Sequence, residues 1–105
     1  GKDKKMFFLS SRVGSIGENT GGGRYIYRSS KSALNQIVKS LSIDLYSKGI
    51  TTLALHPGWV LTDMGGPDAL VTVDESVKGM LEVIENVSLT DSGKFFNFDG
   101  KEISW

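Results

Sequence analysis

At 105 residues, 39% hydrophobic and 23% charged, the chain has the composition of one soluble globular unit rather than a disordered segment, near the small end for a self-sufficient core. Twelve basic residues balance twelve acidic ones, so the charge calls for neither nucleic acid nor an anionic membrane surface. The absence of cysteine excludes a disulfide framework and a thiolate metal site, and no apolar run approaches the roughly 18 residues that span a bilayer.

The chain opens on Gly1 and enters an apolar run within a few residues, an opening expected of a fragment or truncated product. Residues 6–11, MFFLSS, read as a buried strand of a parallel sheet. Residues 12–26 hold five glycines without periodicity and read as a loop. A helix is expected over 27–48, with Ala33, Leu34, Ile37, Val38, Leu41 and Leu45 on one apolar face. Its SKG ending gives a basic last turn and a glycine at the C-terminal cap.

Residues 50–58, ITTLALHPG, read as a second strand stopped by Pro57, and residues 58–71 as a second long loop. Thr72 with Glu75 three residues later predicts a capping box for a helix over 72–87, with Val77, Met80, Leu81 and Ile84 as its buried stripe. In the closing GKFFNFDGKEISW, Phe96 and Phe98 alternate with polar residues, and Asp99-Gly100 signals a turn. A third strand, a turn and a short tail are expected.

The order β-α-β-α-β predicts a parallel α/β sheet. Ligands of such sheets bind beyond the carboxyl ends of the strands. That points to the loops after Ser10-Ser11 and after His56-Pro57.

The glycines do not form a nucleotide-triphosphate loop, because Ser30 and Tyr25 stand where that motif needs glycine. Nor does GSIGENTGGG fit the dinucleotide fingerprint. Tyr27 and Lys31, four residues apart, lie on one helical face. Tyrosine ordinarily titrates near pH ~10, and a neighbouring ammonium stabilises its phenolate, which makes such a pair a candidate proton donor and acceptor. Ser10 and Ser11 point to opposite sides of the strand end, and either can supply a hydroxyl beside the tyrosine; Ser15 is a weaker candidate. In HPGWVLTDM, Pro57 and Gly58 turn the chain sharply, leaving backbone groups able to hold a planar amide, and Thr62 adds a hydroxyl. His56 is the sole histidine and reads as structural, since no serine–histidine–acid set or metal-ligand spacing surrounds it.

Taken together, the strand ending SS, the glycine loop, YRSSK at a helix start and HPGWVLTDM after the next strand resemble the short-chain dehydrogenase/reductase family. The wording LSSRVGSIGENTGGGRYIYRSSKSALN and LHPGWVLTDMGG is similar to its sniffer and C-factor-like carbonyl reductase branch, with residues 18–23 as that branch's loop insertion. The resemblance covers essentially the whole chain. It implies that residues 1–105 are the C-terminal catalytic portion of one Rossmann-type domain, without the dinucleotide-binding first half.

The resemblance further implies a cytoplasmic oxidoreductase that reduces small-molecule carbonyls with NADP(H), NAD being the other possibility. Ser11, Tyr27 and Lys31 match its catalytic residues, and Tyr27 and Lys31 also face the cofactor. Tyr25 is excluded because Ser29 stands four residues on. Pro57, Gly58, Val60 and Thr62 match the segment that holds the nicotinamide carboxamide. Residues 63–71 correspond to the substrate-covering loop, with Trp59 and Met64 as candidate apolar contacts. The helix over 27–48 is a candidate face for a homo-oligomer. The family's pyrophosphate loop, its cofactor-selecting residue and a catalytic asparagine lie in the half not represented here. The chain alone is therefore expected to turn over little or nothing. The alternative is a truncated, non-catalytic remnant that acts by binding or association.

Overall fold

The computed structural model describes residues 4–59 and 71–105. In chain order they form β1 (Lys4–Leu9), a 3-10 turn (Arg12–Gly14), α1 (Tyr25–Tyr46), β2 (Ile50–His56), α2 (Val73–Asn86), a second 3-10 turn (Leu89–Asp91), β3 (Phe95–Asn97) and β4 (Glu102–Ile103). The sheet order is β1-β2-β3-β4. β1 and β3 both run parallel to β2, with Leu9 beside Leu55 and Asn97 beside His56. This is the expected parallel α/β core.

Strand β2 is central, and Thr51, Thr52, Leu53, Ala54 and Leu55 are all buried. Its side chains alternate between two faces. On one face Ala54 packs with Val38 of α1, Phe95 and Ile103, with Phe8, Leu34 and Trp105 around them. On the other, Leu53 and Leu55 pack with Val83 of α2 and Phe96, flanked by Met80, Ile84 and Val87. The two helices therefore cover opposite faces of the sheet.

The closing segment differs from expectation. Phe95, Phe96 and Asn97 are all buried, because β3 is covered on both faces and does not alternate inside and out. The expected tail forms a fourth strand antiparallel to β3, pairing Phe95 with Ile103 and Phe96 with Glu102. The reversal depends on Gly100 at φ 90°, a conformation open chiefly to glycine. It delivers Ile103 to the core and stacks Trp105 on Phe95, ring centroids 5.3 Å apart.

Both helices are also turned from their expected orientation. α1 starts at Tyr25 and ends at Tyr46, so Lys48 falls beyond its last turn, while Gly49 takes the left-handed conformation (φ 72°) that stops it. Its inward stripe runs through Asn35, Val38 and Ser42, leaving Ala33 and Ile37 exposed. On α2, Ser76 and Val83 are buried, whereas Val77 and Leu81 are exposed. Hydrogen bonds allow these polar residues to turn inward. Ser42 donates to Lys39 O at 2.6 Å and Ser76 donates to Pro57 O at 2.6 Å. Thr72 caps α2 as expected, accepting from Glu75 N–H at 3.1 Å.

The outer edge of β1 carries no strand among the described residues, and Met6, Phe7 and Leu9 are exposed along it. No described helix is long and apolar enough to cross a membrane.

Gly79 brings α2 close to the β3–β4 turn: an alanine methyl there would collide with the backbone carbonyl of Phe98. Alanine favours an isolated helix over glycine by ~1 kcal/mol. Overpacking against backbone outweighs this, so Gly79→Ala is expected to destabilise the complete gene product by about 1–3 kcal/mol in urea denaturation. A gain in stability would contradict the tight contact.

Candidate active site

The carboxyl ends of β1 and β2 and the start of α1 meet at one edge of the sheet. Ser10 closes the β1 pairing by donating its N–H to Leu55 O at 2.7 Å. Its side chain is buried and donates to Asn35 Oδ1 of α1 at 2.6 Å. Ser11, half-buried, begins the turn Arg12–Gly14 and caps it by accepting Val13 N–H at 3.4 Å. Of the two serines that strand position alone left open, Ser10 is thus committed to the helix, and Ser11, the one the resemblance pointed to, stands at the turn.

That turn is fastened to α1. A methyl on Gly14 would lie 2.8 Å from Lys31 Cβ and 3.0 Å from Asn35 Nδ2, so only glycine permits the approach. Ser32 Oγ donates to Gly14 O at 2.8 Å, and Arg28 Nη1 donates to Val13 O at 3.3 Å. Each fixes the turn that begins at Ser11 against the helix that carries Tyr27 and Lys31.

The glycine loop serves the helix start. Gly22, Gly23 and Arg24 take φ of 65°, 69° and 52°, a run of left-handed residues leading into Tyr25. Nothing lies within 4 Å of a methyl built on Gly22 or Gly23, so the demand there is conformational. Tyr27 follows in the first helical turn, with the Arg24 guanidinium 5.1 Å and Lys31 Nζ 5.7 Å from its ring centroid. Lys31 is half-buried and Tyr27 is 43% exposed, against 83% for Tyr25.

At the end of β2, Pro57 O accepts the Ser76 hydroxyl. Gly58 has φ 85°, and a methyl there would meet the Phe98 ring at 2.8 Å, so both backbone and space require glycine. Trp59 is half exposed, and its carbonyl accepts Val71 N–H at 3.0 Å. Val60, Thr62 and Met64 lie outside the described residues.

His56 joins the two loops: its Nδ1 accepts the backbone N–H of Arg12 at 3.2 Å. Burial lowers its pKa to about 4, assisted by the positive charge of Arg12 and opposed by a hydrogen bond with the Ser10 backbone. It is therefore a neutral acceptor at neutral pH. The sequence reading placed His56 outside the chemistry but missed its bridging role, as it missed Asn35. For Asn35 the signal was a polar residue one helical turn beyond Lys31, on the inward stripe.

A cavity of about 530 Å³ lies between α2 and the β3–β4 turn, lined by Glu75, Val83, Phe96, Phe98 and Asp99, away from Tyr27 and Lys31. Among the described residues no cluster of histidine and carboxylates suits a metal ion.

The depressed pKa of His56 makes an acid limb in stability. The unfolded chain binds a proton near pH 6.5 and the folded chain only near 4, so stability is complete above 6.5 and declines as pH falls through that window. Asp91 and Asp99 are held below the usual carboxylate range, chiefly by the backbone N–H groups of Ser88 and Lys101, and titrate lower. The melting temperature of the gene product is expected to fall from pH 7 to pH 5, with a shallower fall in His56→Gln. Equal slopes would contradict the buried neutral histidine.

Residues 8–70 match the family described as short chain dehydrogenase. C-signal of Myxococcus xanthus is 50% identical over 102 residues, covering 97% of this chain and 61% of that protein. The structure of carbonyl reductase Sniffer of D. melanogaster matches with a TM-score of 0.92 at 46% identity, over 96% of this chain and 41% of that one. The NADPH-bound carbonyl reductase from chicken fatty liver matches with a TM-score of 0.89 at 43% identity, over 99% of this chain and 45% of that one. The chain thus spans between 41% and 61% of the length of these proteins.

Proposed function

The chain belongs to the short-chain dehydrogenase/reductase family, and from that premise we propose that residues 1–105 are the catalytic C-terminal portion of an NADP(H)-dependent carbonyl reductase. The observation that carries this reading is the fastening of the Ser11 turn to the helix face bearing Tyr27 and Lys31.

The donor set suits a carbonyl oxygen and a ribose: two hydroxyls and an ammonium, beside a turn after Pro57 with backbone able to hold an amide. NADPH, when bound, supplies the hydride. Tyr27 and Ser11 direct their hydroxyls at the substrate oxygen, where negative charge grows during reduction. Tyr27 then releases its proton to that oxygen. The Lys31 ammonium would favour the phenolate left behind and, with the cofactor bound, would hydrogen-bond its ribose. Pro57 and Gly58, with Val60 and Thr62, would hold the carboxamide. Trp59 and Met64 supply apolar contacts for a small carbonyl substrate. C-signal and the two carbonyl reductases support this reading as similar proteins, one of the reductases holding NADPH.

The exposed apolar edge of β1 supports a shared core with a preceding half-domain. The 105-residue chain alone is accordingly expected to show little NADPH-dependent turnover. A second reading, association through α1, has one observation behind it: Ile26, Ala33 and Ile37 lie along an outward stripe of that helix.

In the complete gene product, Tyr27→Phe is expected to lower kcat for carbonyl reduction by at least ~100-fold. Its NADPH Kd should stay within about threefold, and Tyr25→Phe should change turnover by less than about twofold. Steady-state kinetics and fluorescence titration measure both. Undiminished turnover in Tyr27→Phe would remove that residue from its role.

A further inference from the structure

Asn35 has no part in the chemistry above, yet it is among the most buried polar residues of the molecule, 4% exposed. It lies on α1 one helical turn beyond Lys31 and two beyond Tyr27, on the side facing the sheet. Its Oδ1 accepts the Ser10 hydroxyl at 2.6 Å, across 25 residues of sequence. Ser10 is itself fixed, since its N–H makes the last bond to β2, at Leu55 O. The chain leaves the sheet at the next residue, which is Ser11.

A role in packing alone does not account for this side chain. Asn35 Nδ2 has no hydrogen-bond partner among the described protein residues. A buried amide with one group unmatched costs stability that an apolar residue of similar size would not. What the amide oxygen does is tie the helix carrying Tyr27 and Lys31 to the residue before Ser11. The other fastenings, from Arg28 and Ser32, act at Val13 and Gly14, beyond Ser11. Asn35 is the one that acts on its near side.

Resting on the reductase reading, we propose that Asn35 is a positioning residue, which through Ser10 sets where the Ser11 hydroxyl stands relative to Tyr27 and Lys31. It touches neither substrate nor cofactor and works by removing freedom from the strand end.

The test uses the complete gene product carrying Asn35→Leu, with Ser10→Ala breaking the same bond from its other end should the first variant fold poorly. Amide exchange reads the link without turnover. Exchange at Val13, Gly14 and Ser15 is expected to rise about tenfold, with Leu53–Leu55 unchanged within about twofold. In kinetics, kcat should fall about tenfold while KM for NADPH stays within about threefold. Added to Ser11→Ala, Asn35→Leu should change kcat by less than about twofold, because the group it positions is gone. Unchanged exchange at Val13–Ser15, or a loss fully multiplicative with Ser11→Ala, would overturn the positioning role. Full turnover in both Ser11→Ala and Tyr27→Phe would instead overturn the reductase reading, and with it the purpose proposed for the link.

Discussion

The burial of β2 on both faces is the constraint from which the rest of the structure follows. Its residues 51–55 are closed to solvent, which requires a helix on each face and a strand on each side. α1 and α2 meet that need from opposite faces, through Val38 and Val83. Two parallel strands beside a central one need long crossovers, and those crossovers begin at the carboxyl ends of β1 and β2. The site is therefore placed by the core. The turn after Ser10 and the turn after His56 have to emerge side by side, because Leu9 pairs with Leu55.

Once side by side, the two turns are tied to each other and to the two helices. His56 bonds the backbone of Arg12, Asn35 bonds Ser10, and Ser76 bonds Pro57. Each tie joins residues far apart in sequence, and each uses a small polar group at a buried or half-buried position. Glycines supply the close approaches: Gly14 against α1 and Gly58 against Phe98. Tyr27 and Lys31 are thus presented on a helix whose depth and rotation are fixed by polar contacts as much as by its apolar stripe. In the reductase reading, that rigidity orients hydroxyls toward a growing negative charge, where small displacements cost rate.

Much of this was legible in the sequence. The apolar run before Ser10, the uninterrupted helix after Tyr27 and the strand stopped by Pro57 each carry a local signal, and the structure places an element at each. The four-residue step from Tyr27 to Lys31 needs no tertiary knowledge. What escaped was decided by partners distant in sequence. Ile37 and Leu81 match the helical period, yet both are exposed, because Asn35 and Ser76 find distant hydrogen-bond partners inside and turn the helices toward them. The family resemblance points to Ser11, but strand position alone could not tell Ser10 from Ser11 without knowing that Asn35 lies opposite. The strand at Glu102–Ile103 is two residues long, too short for any periodicity, and exists because Gly100 returns the chain to β3.

In the reductase reading, Tyr27 and Ser11 converge on one substrate oxygen. A crystal structure of the complete gene product with NADP⁺ and a bound carbonyl ligand tests it most directly. Tyr27 Oη and Ser11 Oγ are both expected within about 3.2 Å of the same carbonyl oxygen. A ligand whose oxygen lies beside Tyr25, or in the cavity under α2, with Tyr27 turned away, would contradict it.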